Sequence, residues 1–415
     1  MLCYITVAIA LIFVIGEFLF QKWPWSSWTK GNAANTAKAR TDKEGIWPPP
    51  IIPLLDLTPE TLPERHATPW RPYKPTEYRL TMGLSALEPS QWIQIDNGYP
   101  ERMAKRKALI EKYPTVVYGF KPEMVPAIEE LYEYLLGYYL PRRYPGLFRI
   151  SLKKGLGLAS EESWFENLVT RECHPIIPPT RSALAKGSKR AQAVDYLLRA
   201  IATTIEEDFL MLLPDSLLPN EGKVSDYIMR AFCVCFPSGF NASGFLGKPL
   251  AAIHTPVPGY KERLQMSMDR FFGRVMVGRL WRRWNWTVTT HNGLCVPHGN
   301  ELYETEVPKP MENSDPAQAQ LRVEYQTLTR LPNTQALVFT IRTYLTPLGQ
   351  IRNEPPPVHA GTEEKPEPGY GTPNGRGGPE DLADAIEGIK GPMMEYKNFH
   401  IFNERVVRYL RTGEK

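Results

Sequence analysis

The alternation of apolar and polar positions is strictest late in the chain. Leu321-Arg-Val-Glu-Tyr-Gln-Thr-Leu328 has the period of two expected of an extended segment. Ala336-Leu-Val-Phe-Thr-Ile-Arg-Thr-Tyr-Leu345 follows a turn around Leu331-Pro-Asn-Thr334, so the two predict an antiparallel hairpin. That period sets Arg322, Glu324 and Gln326 on one face, with Arg342 and Tyr344 together on a face of the partner strand. Helical spacing appears elsewhere. Ile128, Leu131, Tyr132, Leu135 and Tyr139 define an amphipathic helix over Val125–Leu140, ended by Pro141. Val194, Leu197, Leu198, Ile201, Ile205 and Leu212 predict the longest helix, over Ala191–Leu213. On that reading Glu206-Glu-Asp208 lies on a solvated helix face, because adjacent helical carboxylates point in different directions. Tyr227–Phe236 and Asn285–Thr290 read as strands, and Tyr260–Val275, Leu382–Ile389 and Phe402–Leu410 as helices. Strands pairing antiparallel beside separate helices make the fold class α+β.

Other stretches lack a period and divide the chain. Leu2–Phe20 is almost uninterrupted apolar sequence, about the length that crosses a bilayer. Trp23, Trp25 and Trp28 suit an interfacial aromatic belt, and the basic residues Lys22, Lys30, Lys38, Arg40 and Lys43 lie only downstream. Residues 1–20 are therefore expected to be a single transmembrane helix with the rest of the chain cytoplasmic, at the endoplasmic reticulum because the span is short. Residues 21–75 are rich in proline and read as a spacer or disordered linker. Residues 76–350 form the main domain, 351–380 a disordered Pro/Gly/Glu-rich insertion, and 381–415 a helical tail docking on that domain.

Composition changes little in this outline. Hydrophobic residues make up 42% of 415 positions, enough for a sizeable core. A net charge of +4, without a dense basic cluster interleaved with aromatics, gives nucleic-acid binding no support. Five cysteines without regular spacing do not form a disulfide framework, and Cys233 and Cys235 read as small core residues in a reducing compartment. No Asp-x-Asp metal–nucleotide motif occurs, which counts against a membrane-anchored glycosyltransferase. One histidine carries candidate chemistry. His254 precedes a helix holding Met266, Met268, Phe271 and Phe272, a setting for an axial ligand to a flat apolar cofactor. An ordinary hydrogen-bonded histidine would occupy the same setting.

Several ordered motifs change that balance. They are Met82-Gly-Leu84 with Trp92, Asp96 and Tyr99; Leu140-Pro-Arg-Arg-Tyr-Pro145; Glu206-Glu-Asp208; and Cys235-Phe-Pro-Ser-Gly239. Further along come Leu246-Gly247, Ile253-His254, Pro256-Val-Pro258, Asn285-Trp286, the Leu321–Leu328 strand, Arg330-Leu-Pro332 and Phe339-Thr-Ile-Arg-Thr-Tyr344. In this order, over about Arg79 to Leu348, the chain resembles the haem-dependent oxidative N-demethylase family (alpha-subunit-like). The resemblance implies a PAS-like antiparallel sheet with packed helices that binds haem b. It also implies oxidation of an N-methyl group of an amine-like small molecule by O2, with electrons from a separate flavin/iron–sulfur reductase. Carried over, His254 becomes the candidate iron ligand, Arg322, Arg330 and Arg342 candidates for holding propionates or substrate, and Glu324 and Tyr344 candidate catalytic groups of the pocket. Tyr325 stands where the family's Arg-x-Glu-Arg-Gln pattern has its second basic residue, which leaves activity open. A sensor that keeps the fold and binds haem or a small molecule without turnover fits the same residues.

Overall fold

Among the described residues ten strands, numbered in chain order, make up two sheets. The main sheet contains β1 (Ser85–Leu87), β2 (Tyr118–Phe120), β6 (Asp208–Pro214), β7 (Tyr227–Cys233), β8 (Leu280–Thr289), β9 (Gln320–Arg330) and β10 (Leu337–Pro347). A smaller sheet contains β3 (Phe148–Lys154), β4 (Glu161–Asn167) and β5 (Cys173–Pro175). These assignments come from a computed structural model that describes residues 47–154, 161–182, 186–215, 226–298, 315–354 and 378–415. The predicted membrane helix, the linker before Trp47 and most of the Pro/Gly/Glu-rich insertion lie outside the described residues. Among the described residues no helix is long and apolar enough to cross a membrane.

The seven strands run in the order β1-β8-β9-β10-β6-β7-β2, every neighbouring pair antiparallel. At its centre is the expected hairpin, with Arg322 opposite Leu345, Glu324 opposite Thr343 and Arg342 opposite Tyr325. Directly opposed residues share a face. One face of β9 therefore carries Arg322, Glu324, Gln326 and Leu328, while Arg342 and Tyr344 project with Val323 and Tyr325 from the other. Every residue of β9 is buried, so both faces of this antiparallel sheet are covered. Trp70 stacks on Tyr325 at 5.6 Å on the second face, and a run of short helices from Ala242 to Arg274 covers the first. The fold is α+β, a large antiparallel sheet with packed helices, as the periodicities predicted.

Three expectations are corrected. The long helix over Ala191–Leu213 stops at Ala202, and Asp208–Pro214 is a strand, β6. Leu212 falls on the helical spacing of Val194 and Ile201, but Phe209-Leu-Met-Leu-Leu213 is a continuous apolar run covered on both faces, which suits an interior strand. Glu206-Glu-Asp208 is consequently buried at the entry to a strand, not displayed on a solvated helix.

The proline-rich segment from Trp47 to Pro75 is a packed part of the domain and not a free spacer. Leu57, Leu62, Trp70 and Tyr73 are buried, and Leu54 N donates to Arg143 O at 2.7 Å. A Cβ on Gly146 would stand 2.4 Å from Leu57 O, a close approach only glycine permits. Proline favours extended backbone here, and the aromatic and leucine side chains between the prolines find cover on the domain. The predicted tail helices are present as Pro379–Glu387 and Asn403–Thr412, and the two pack on each other.

Candidate functional site

Between the first face of the main sheet and its helical cover lies a cavity of about 240 Å³. Its floor is laid by alternate residues of five strands: Arg283 and Asn285 of β8, Glu324 and Gln326 of β9, Phe339 and Ile341 of β10, Leu210 and Leu212 of β6, and Met229 of β7. The roof is apolar. Leu250, Tyr260, Leu264, Met268 and Phe272 are buried on the inner side of the covering segment. Tyr78, Leu80 and Met82 close one flank, and Met393, Tyr396 and Lys397 bring the C-terminal tail to the wall. Burial of Lys397 is compensated by its ammonium, which donates to Trp286 O at 2.9 Å.

His254 sits in the roof. A single helical turn, Leu250–Ile253, ends at it, and Leu250 O accepts hydrogen bonds from both His254 N (3.0 Å) and His254 Nδ1 (2.9 Å). A carbonyl only accepts, so Nδ1 carries the proton and Nε2 keeps its lone pair. The ring lies on Tyr260 at 4.9 Å with 16° between planes. Gly259, at φ 75°, supplies the left-handed turn that brings Tyr260 back beneath the imidazole. Burial lowers the proton affinity of His254, and the nearby Arg283 charge lowers it further, so the imidazole stays neutral. Nε2 has no hydrogen-bond partner among the described residues. A tautomer fixed through Nδ1, with Nε2 unbonded on a residue that lines an apolar cavity, is the arrangement of a histidine ligand.

The other residues expected at the site separate into two sets. Glu324 lines the cavity, where its Oε2 accepts from Gln326 Nε2 at 3.0 Å and Asn285 Nδ2 at 3.3 Å. The three arginines are engaged with protein. Arg322, wholly buried, donates to Phe236 O (2.7 Å), Pro237 O (3.2 Å) and Leu294 O (3.1 Å), tying together two loops beside the cavity. Arg330 holds Val275 O (2.6 Å), Phe272 O (2.6 Å) and Gln335 O (2.8 Å), which caps the C-terminal end of the Gln265–Arg274 helix. Arg342 donates to Asp96 (2.6 Å) and Glu206 (2.8 Å) on the opposite side of the sheet from the cavity. Tyr344 is on that side too, under the Arg342 guanidinium, with its hydroxyl pushed far above its usual range by burial. A propionate-holding role for these three arginines and a pocket role for Tyr344 do not fit. Charged groups inside a sheet need partners, and here the protein already provides them.

The buried acidic run is part of this structural network. Asp208 accepts from Arg106 Nη1 at 2.6 Å, Cys235 N at 2.8 Å and Phe236 N at 2.8 Å. Asp96, Glu206, Glu207 and Asp208 are paired with Arg102, Arg106 and Arg342, one more acid than base. Burial raises Glu206 to about 7 despite its arginine neighbours, so the excess negative charge is relieved by a proton. Two further histidines, His174 and His291, lie elsewhere. His174 Nδ1 meets the Tyr196 hydroxyl at 2.8 Å, and His291 Nδ1 accepts from Gly293 N at 3.1 Å in a turn.

Sequence reasoning gave Arg283 no role, yet it lines the cavity two residues before Asn285 on the same strand face. Its signal was the period of two in Leu280–Thr289, obscured by Trp281, Trp284 and Trp286 between the polar positions. Among the described residues no group of three or more His, Cys, Asp or Glu is placed to hold a metal ion by itself. A mainly apolar cavity that also offers one imidazole, one guanidinium, the Glu324 carboxylate and the Lys397 ammonium is suited to a mostly apolar group that brings its own metal.

An α+β protein with an internal, His-bearing apolar cavity on an antiparallel sheet is the class defined by this fold and site. The chain belongs to the haem-dependent oxidative N-demethylase, alpha subunit-like, family, whose model matches residues 83–364.

Proposed function

We propose that this chain is a haem-binding oxidative N-demethylase-like enzyme, with His254 as the protein ligand to the iron of haem b. The single observation that carries the reading is His254 itself: Nδ1 committed to Leu250 O, Nε2 bare, and the ring facing the cavity. Haem, when bound, supplies the activation of O2 with electrons from a separate reductase. The chain supplies the rest. Met229, Met268 and Phe272 exclude water and cover apolar surface. Glu324, oriented by Asn285 and Gln326, presents a fixed carboxylate that would steady a protonated amine or accept its proton. The PAS-like description suits a sheet that binds a ligand on one face. The apolar run Leu2–Phe20 supports anchoring to a membrane through the N-terminal segment.

The overall reaction converts an N-methyl amine, O2, two electrons and two protons into the demethylated amine, formaldehyde and water. Full-length protein loaded with haem and given a chemical reductant should release formaldehyde from secondary and tertiary N-methyl amines only when O2 is present. Glu324→Gln should reduce the rate by about 10²-fold or more. Haem-loaded protein that consumes reductant without forming formaldehyde from any N-methyl amine would favour the non-catalytic sensor.

A further inference from the structure

Arg283 presents a guanidinium to the cavity. It projects from β8 with Gln326 as its cross-strand neighbour and the Asn285–Glu324 pair next along the strands. Those neighbours bond to one another. Glu324 Oε2 already accepts from Asn285 and Gln326, and its Oε1 lies 3.9 Å from Arg322 Nε. No hydrogen bond reaches Arg283 from any described residue, and no described carboxylate lies within 4.0 Å of it. Its Nε is sealed from solvent without a partner. Burial depresses its affinity for its proton, and the nearby Tyr78 and Glu324 offset this only in part.

A guanidinium that lines a cavity with no hydrogen-bonded partner is costly to hold there, and a ligand carrying an anion would supply that partner. Arg283 carries a planar fork of donors and a single positive charge. One carboxylate matches both, in charge and in its two parallel acceptor oxygens.

We propose that Arg283 is a carboxylate-binding residue, so that the cavity takes a ligand with a mainly apolar body and a carboxylate at the sheet-facing end. Two sources share this chemistry: a carboxylate on the edge of haem, or the carboxylate of a substrate such as an N-methylated amino acid. The first source rests on the haem reading above, whereas the binding of a carboxylate by Arg283 does not. Where the carboxylate comes from haem, Arg283 would fill the anchoring role that Arg322, Arg330 and Arg342 cannot. Where it comes from substrate, the enzyme selects amino-acid-like methylamines over simple alkylamines.

The test uses two matched pairs on full-length protein. Haem is compared with haem dimethyl ester by absorbance titration, and hexanoate with hexanamide by calorimetry, for the wild type, Arg283→Gln and Arg283→Lys. The acid should bind more tightly than its neutral counterpart by about tenfold or more in at least one pair. Arg283→Gln should abolish the preference and Arg283→Lys should keep part of it. Discrimination in the haem pair assigns the carboxylate to the cofactor, and discrimination in the hexanoate pair assigns it to substrate. Failure of haem and its ester to bind, with hexanoate still preferred, would count against the haem reading and leave Arg283 standing. Equal binding within both pairs, no binding in either, or a preference that persists in a folded Arg283→Gln protein would overturn the proposal. Because the paired comparison on the wild type decides alone, a variant that fails to fold does not rescue it.

Discussion

Arg342→Leu should cost about 3–5 kcal/mol of folding stability, a large part of what a typical domain possesses. The guanidinium is buried between Asp96 at 2.6 Å, Glu206 at 2.8 Å and Glu207 at 3.8 Å. Leucine fills much of the volume but leaves three carboxylates facing one another in a site that excludes solvent, with Arg102 as the nearest remaining cation, 3.3 Å from Glu206. Urea denaturation should show the loss, and adding Glu206→Gln to Arg342→Leu should recover part of it by removing one of the uncompensated charges. The pH dependence has a definite sign. Glu206 is raised to about 7 in the folded protein from an ordinary 4.5. Between those values the native state holds a proton that the unfolded chain releases, so this group's contribution to stability is greatest below 4.5 and declines as pH rises to 7. In Arg342→Leu the attraction that lowers Glu206 is gone, so the decline should be steeper and extend above 7. A loss under 1 kcal/mol with an unchanged pH slope would show that the network is not held as described.

Asp208→Ala should be comparably damaging, about 3–5 kcal/mol, for a different reason. Both of its oxygens are used: Arg106 Nη1 and Cys235 N on Oδ1, and Phe236 N on Oδ2. Alanine would leave a wholly buried guanidinium without its carboxylate and orphan two backbone N–H groups where β7 gives way to the turn before the cavity's cover. Asp208→Asn keeps an acceptor and fills the space, so it should cost less. The comparison is made by thermal unfolding of the three proteins. Near equality of alanine and asparagine would mean that charge and hydrogen bonding contribute little there. Loss of the turn should also weaken ligand binding, because Arg322 holds the same Phe236 and Pro237 carbonyls from the sheet side.

The sequence disclosed the elements whose two faces differ and hid those whose faces match. The β9–β10 hairpin was legible because polar and apolar residues alternate, and its observed register separates Arg322 and Glu324 from Arg342 and Tyr344 across the sheet. β6 was not, because an interior strand covered on both faces has no alternation and Leu212 falls by chance on a helical spacing. The site followed the same logic. His254 was recognisable from its position in a motif order, and the structure adds the Leu250 carbonyl that fixes its tautomer. Arg322, Arg330 and Arg342 drew attention as arginines in strands, but residue type does not say whether the counter-charge is protein or ligand. Only the arrangement of carbonyls and carboxylates shows that these three are occupied and that Arg283 is open.

Absorbance titration of the full-length protein with haem, wild type beside His254→Ala, tests the central claim most directly. The wild type should take up one equivalent and develop a sharp Soret band. That band should persist on mild acidification, because burial holds the proton affinity of His254 below the ordinary histidine value. His254→Ala should lose or shift the band while remaining folded by circular dichroism, and added imidazole should restore it. A wild type without a Soret band, or a His254→Ala spectrum identical to the wild type, would contradict the assignment of His254 as the haem ligand.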